Sequence, residues 1–204
     1  MKWPWSWRSA KDGGYLVIGL GNPGAHYAAT RHNMGARAVR ALAAQEGWSW
    51  KRQRTLLVEQ ANGVRHGKEL HLVVPMTYMN ESGRAVGRVV RHDKWPVDRI
   101  LVVVDDVALP LGRMRLRAHG SSGGHNGLKD IRAHLGTDAY ARLRLGVGSP
   151  GDGQHGHQDL ADFVLDPFAP QEQGSVNEME RRAAQVIDVL LTEGLERAME
   201  EAQR

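Results

Sequence analysis

Apolar positions in this chain fall into short runs and helical stripes that alternate along its length. The run YLVIGL at 15–20 has the pattern of a buried strand. After the loop GNPGAHY, Met34, Ala38, Val39 and Leu42 recur at helical spacing, which predicts a helix over 33–45 that Gly47 can close. Residues 55–61 and 69–74 flank the turn-rich NGVRHGK and predict a hairpin. Asn80 stands as the N-cap of a helix ending near Arg91, with Ala85, Val86, Val89 and Val90 as its buried stripe. ILVVV at 100–104 is another buried strand, and RMRLR at 113–117 alternates as a half-buried strand does. GSSGG opens a helix over 125–135 that Gly136 closes, and ARLRLGVG at 141–148 is a further strand. SPGDGQHGHQ reads as a mobile loop, and from Pro170 onward the chain is helical with a break near Gly194.

Strands that alternate with helices imply a single-domain, three-layer α/β/α fold. The hairpin makes its twisted sheet mixed, though mostly parallel. The domain is expected to span 15–204, with 1–14 as a flexible tail carrying Trp3, Trp5 and Trp7. That tail lacks the apolar core of a secretory signal. A stacking platform for bases is its functional alternative. No stretch approaches the ~20 apolar residues of a membrane helix. No membrane partner is expected, and a cytoplasmic setting fits.

Composition narrows the chemistry. The chain has 204 residues, 41% hydrophobic and 25% charged, an ordinary globular balance. It contains no cysteine, which removes disulfides, cysteine-based zinc sites and a cysteine nucleophile. A net charge of +4 favours a polyanionic partner only weakly, so the placement of the arginines matters more than their number.

Three motifs carry candidate chemistry. Gly19-Leu-Gly21-Asn22-Pro23-Gly24 fits the dinucleotide pattern G-x-G-x-x-G. Pro23, however, lacks an N–H where a pyrophosphate needs donors, and no strand-ending acid follows at the right distance. Gly120-Ser121-Ser122-Gly123-Gly124 fits the nucleophile elbow G-x-S-x-G; Asp159 with His155 or His157 would be a triad in the wrong order, whereas Asp138 or Asp152 before His157 has the right one. His155 and His157 near Asp159 could also bind a metal, though a solvated loop is the stronger reading. The third set lies at strand ends and helix starts. It comprises Asn22, His32 with Asn33, Asn80, Asp105 with Asp106, and His125 with Asn126. Each alone reads as a cap or a surface residue. Together they would line the carboxyl edge of one sheet. A histidine with an aspartate orienter and several amides is what water-mediated acyl hydrolysis requires.

These residues sit in long, specific stretches. VIGLGNPGAHYAATRHNMG at 17–35, PMTYMNESG at 75–83 and GSSGGHNGLK at 120–129 resemble, in order, the signatures of bacterial peptidyl-tRNA hydrolases. DDVALP at 105–110, RLRLGVG at 142–148 and FVL at 163–165 fall in the same order. The resemblance implies a monomeric α/β/α enzyme that needs no metal or organic cofactor and no obligate protein partner. Its substrate would be peptidyl-tRNA, held by the acceptor stem and 3′ end. It implies His32 as catalytic base, Asp105 as its partner and Asn22 as oxyanion donor. Asn80 and Asn126 match the family's active-site asparagines, and Tyr27, Tyr78 and Met79 lie in its cleft motifs. Arg115, Arg117, Lys129 and Arg144 fall on or near basic positions that hold tRNA phosphates, two of them arginine where lysine is common. The chain departs from the pattern at Val104, Asp106 and Ser149. The VDDVALPLG stretch also looks like plant-organelle relatives, one branch of which serves in RNA splicing. A non-catalytic RNA-binding role is therefore the alternative.

Overall fold

The computed structural model describes residues 14–150 and 159–204. The tryptophan tail and the pair His155 and His157 lie outside the described residues. Seven strands form one sheet: β1 (Tyr15–Gly19), β2 (Lys51–Gln53), β3 (Val58–Arg65), β4 (Lys68–Pro75), β5 (Ile100–Asp106), β6 (Met114–Arg117) and β7 (Ala141–Gly146). Their order across the sheet is β2-β3-β4-β1-β5-β7-β6. The central block β4-β1-β5-β7 is parallel, and β3 and β6 run against their neighbours.

Helices cover both faces, as the alternating pattern requires. Along β1, Leu16 and Ile18 face one core and Tyr15 and Val17 the other. The first core is closed by α2 (Ser82–Asp93) and α3 (Asn126–Leu135). The second is closed by α1 (Met34–Gln45), α5 (Gln173–Thr192) and α6 (Leu195–Glu201), with α4 (Leu160–Leu165) adding Phe163 nearby. Each fully buried Leu, Ile or Val contributes roughly 1.5–3 kcal/mol, so a central strand apolar on both sides anchors both layers.

The local patterns depart from expectation in places. The 58–75 hairpin closes in a two-residue turn at His66-Gly67, with φ of 51° and 73° and Arg65 opposite Lys68. Two successive left-handed residues match the strand twist, so NGVR continues the strand instead of turning. The edge strand β2 has no apolar residue, and helix α4, though apolar, is only six residues long, too short to show a helical period in the sequence. Asn80 does not cap α2; it sits in a 3-10 turn, Met79–Glu81, that precedes the helix. Gly136 closes α3 with φ of 71°, as expected.

One close approach places the functional end of the molecule. A Cβ on Gly35 would lie 2.2 Å from the Val103 carbonyl oxygen, and one on Gly19 would lie 2.4 Å from Val39 Cγ2. Only glycine lets α1 lie this tightly across β1 and β5. The approach brings the turn before α1, which carries His32, over the carboxyl ends of those two strands, where α/β folds place their ligands.

Candidate active site

His32 belongs to a 3-10 turn, Arg31–Asn33, that leads into α1. The turn is held from behind. The Arg31 guanidinium is fully buried, 4.5 and 4.7 Å from the rings of Phe163 and Phe168, and pairs with Glu172 at 2.8 Å. In front, His32 Nδ1 lies 2.9 Å from Asp105 Oδ2 at the end of β5. The Asp105 side chain is 1% exposed and that of His32 13%. Burial disfavours the imidazolium, but the charge and hydrogen bond of Asp105 outweigh this and hold the His32 pKa above its ordinary value. Burial likewise opposes ionisation of Asp105. Two neighbouring histidines overcome it and keep this carboxyl well below the usual carboxylate range.

The second of those histidines is His125, whose Nε2 lies 3.1 Å from Asp105 Oδ1. His125 is also the N-cap of α3, and its Nδ1 accepts from the N–H groups of Gly127 and Leu128. Its tautomer is thereby set: Nδ1 accepts, so Nε2 carries the proton and donates to Asp105. His125 opens α3, as expected, and stands in the set expected along the sheet's carboxyl edge, but no partner for it is apparent from the sequence. Its contact with Asp105 joins elements 20 residues apart and has no signature in a local pattern. His32, Asp105 and His125 bring ligand-type atoms within 4.8 Å of one another. The trio does not suit a metal, because His125 Nε2 would have to give up its proton while Nδ1 still accepts two backbone N–H groups.

Asn22 follows β1 and is fixed on three sides. Its N–H donates to Asn33 Oδ1 at 2.8 Å, and Asn33 Nδ2 returns a bond to its carbonyl at 2.9 Å. Its own Oδ1 accepts from the Met79 N–H at 2.8 Å. The remaining Nδ2 has no partner among the described residues, so it is the group left to face a ligand. Asn33, expected to open the helix, makes no capping bond and acts as a splint for Asn22 instead. Met79 is buried, with its sulfur packed against Ser82. Asn80 and Asn126 are exposed at the starts of the elements leading into α2 and α3. Tyr27 and the exposed Tyr78 meet edge to face at 6.3 Å.

The basic candidates divide. Arg115 and Arg117 are exposed on edge strand β6, on the same side as Arg113, while Met114 and Leu116 point into the core. Lys129 is exposed on α3. Arg144 stands opposite Arg115 on β7 but is differently employed. It donates to Asp106 at 3.1 Å and to the Ser121 carbonyl at 2.8 Å, with a side chain 12% exposed. Beside it, the buried Arg142 donates to the carbonyls of Gly120, Ser121 and Asp138. Both arginines therefore brace the GSSGG loop, and Arg144, which the resemblance sets on or near a phosphate-holding position, is less exposed than Arg115, Arg117 and Lys129.

The two decoy motifs resolve structurally. The helix after Gly19-Leu-Gly21-Asn22-Pro23-Gly24 begins only at Met34, so no helix N-terminus meets the glycine loop. The Ser122 hydroxyl makes no hydrogen bond to a histidine ring among the described residues, as a serine nucleophile would need; its carbonyl only accepts from the His125 backbone N–H. No described helix is long and apolar enough to cross a membrane.

Comparison with known proteins adds to this geometry. The family model described as peptidyl-tRNA hydrolase matches residues 16–204. The chain is 44% identical to the peptidyl-tRNA hydrolase of Chloroflexus aggregans over 91% of its own length and 96% of the relative's. It is 45% identical to that of a Synechococcus species, over 90% of its length and 80% of the relative's. The crystal structure of the Acinetobacter baumannii peptidyl-tRNA hydrolase superposes with a TM-score of 0.85 at 33% identity, covering 94% of this chain and 95% of that one. These relatives are named as hydrolases, which does not favour the non-catalytic alternative.

Proposed function

As a member of the peptidyl-tRNA hydrolase family, the chain hydrolyses the ester bond of peptidyl-tRNA, and we propose that it does so with His32 as general base. One observation carries this reading: His32 Nδ1 is committed to Asp105 at 2.9 Å while its Nε2 has no partner among the described residues. Asp105 fixes the tautomer with Nδ1 protonated, so Nε2 presents a lone pair to the cleft. A water there loses its proton to Nε2, and its oxygen attacks the carbonyl that joins the peptide to the tRNA ribose. The Asn22 amide N–H donates to the developing oxyanion. It needs no reorganisation, because Asn33 and Met79 already fix that residue. The bond from carbonyl carbon to ribose oxygen then breaks. The imidazolium returns the proton to that oxygen, leaving free tRNA and a peptide carboxyl group that releases water's second proton to solvent.

Asn80 and Asn126 are proposed to hold the backbone of the peptide part, a contact indifferent to side-chain identity. Tyr27, Tyr78 and Met79 line the cleft around them. Arg115, Arg117 and Lys129 are proposed to contact phosphates of the acceptor stem, giving affinity without base specificity. The working unit is proposed to be a monomer spanning 15–204, active in the cytoplasm where peptidyl-tRNA arises. Release of free tRNA from an N-blocked aminoacyl-tRNA tests the assignment. The parent should release it and His32→Ala should not at comparable rates. A fluorophosphonate probe should leave Ser122 unlabelled.

A further inference from the structure

A cavity of about 340 Å³ opens beside Asn22, on the side of β1 that faces β4, β3 and β2. Its size is within the range of small-ligand clefts, roughly 300–1,000 Å³. Pro23, Ala36, Val74 and Met76 give it an apolar floor. Its rim is formed by Arg40 and Arg52, which share Glu59 at 2.5 and 3.6 Å. Glu59 is the one carboxylate among the described lining residues, so two guanidinium groups divide a single negative charge. Arg37, also lining the cavity, is paired from behind by Glu180 at 2.9 Å. Arg40 is held over the Trp50 ring at 4.8 Å, which keeps its planar fork at the mouth. The two rim side chains remain 41% and 57% exposed, free to meet an incoming anion.

The sheet order assigns the occupant. The proposed phosphate contacts on β6 lie on the β5-β7-β6 side of β1, and this cavity lies on the β4-β3-β2 side. The reacting ester sits between them, over the ends of β1 and β5. An ester has two parts. With the tRNA body on one side, the peptide leaves towards the other. We propose that the cavity is a specificity subsite for an acidic side chain of the peptide, close upstream of the residue esterified to tRNA. The inference rests on the hydrolase reading and deepens it. The carboxylate would take the second guanidinium that Glu59 leaves under-compensated, in the bidentate geometry arginine favours, and its methylenes would cover the apolar floor.

The test uses one tRNA charged with N-blocked di- and tripeptides that carry Glu, Gln or Lys at the penultimate or third position. Parent kcat/KM should rank Glu above Gln above Lys at one of these positions. The spread should be about 3- to 10-fold, since attraction and repulsion at a partly exposed site are each worth a few-fold. Arg52→Ala and Arg40→Gln should collapse the ranking while leaving the Gln substrate and an N-blocked single aminoacyl-tRNA unchanged. Arg52→Glu should invert it. A parent with equal kcat/KM for all three side chains at both positions overturns the subsite. So does a variant that slows every substrate alike and flattens the salt dependence, because the rim would then be reading tRNA phosphate. A parent that hydrolyses none of these substrates fails the underlying hydrolase reading instead, and the single aminoacyl substrate separates the two failures.

Discussion

His32 and His125 both reach Asp105, at 2.9 and 3.1 Å, and each stands where a helical element begins. They differ in the use of the other ring nitrogen. His125 Nδ1 accepts two backbone N–H groups of α3, so both of its nitrogens are committed to the fold. His32 spends only Nδ1 and keeps Nε2 for the cleft. The carboxylate therefore holds one histidine with a ring nitrogen left for the cleft and is itself steadied by the other. The same division appears on β6 and β7. Arg115 and Arg117 face solvent, while Arg142 and Arg144 on the neighbouring strand brace the loop that ends at His125. Residue type and proximity are alike in each pair, and what remains unspent decides the role.

Breaking that contrast should have graded effects. Asn22→Ala removes the proposed oxyanion donor and should lower turnover by ~10²–10³-fold. His32→Ala should cost at least ~10²-fold with little change in substrate affinity, the usual worth of a general base. Single-turnover measurements at saturating substrate separate the two effects, and a near-normal rate for either variant removes it from the reaction. Asp105→Ala leaves His32 present but poorly oriented, so it should be less damaging than His32→Ala. The reverse order would exchange their roles. His125→Ala should be milder again in rate, yet it leaves Asp105 Oδ1 buried without its donor. The cost should be about 1–3 kcal/mol in thermal or denaturant unfolding, a penalty that a surface histidine would not show. Smallest in turnover is the double change Arg115→Ala with Arg117→Ala. It should spare kcat, raise the apparent Michaelis constant for full-length substrate and flatten the log affinity–log salt slope by up to ~2. An unchanged slope would remove β6 from the tRNA contact.

The sequence made the parallel core legible because buried strands such as YLVIGL and ILVVV are apolar without interruption. It made His32, Asp105 and Asn22 legible through the long stretches that contain them. Other features were hidden for physical reasons. His125 caps α3, and a cap looks the same in a sequence whether or not the far nitrogen has a second partner. Arg144 alternates along β7 as Arg115 does along β6, and only the register that sets it near Asp106 separates a brace from a solvent-facing cation. Asn33 resembles a helix-opening residue, but its amide is used 11 positions back on Asn22. The turn at His66-Gly67 was obscured because left-handed backbone at a histidine has no reliable mark in composition.

The pH dependence of turnover, compared in the parent, His32→Ala and His125→Ala, tests the central claim most directly. A general base acts when neutral, and Asp105 holds the pKa of His32, the proposed base, above the ordinary histidine value. Parent turnover should therefore rise with pH through an ionisation above ~6.5. In His125→Ala that ionisation should persist and move higher, because Asp105 loses a hydrogen-bond donor and attracts the His32 proton more strongly. In His32→Ala it should vanish along with most of the rate. Retention of the ionisation in His32→Ala, together with its loss in His125→Ala, would contradict the account and make His125 the base.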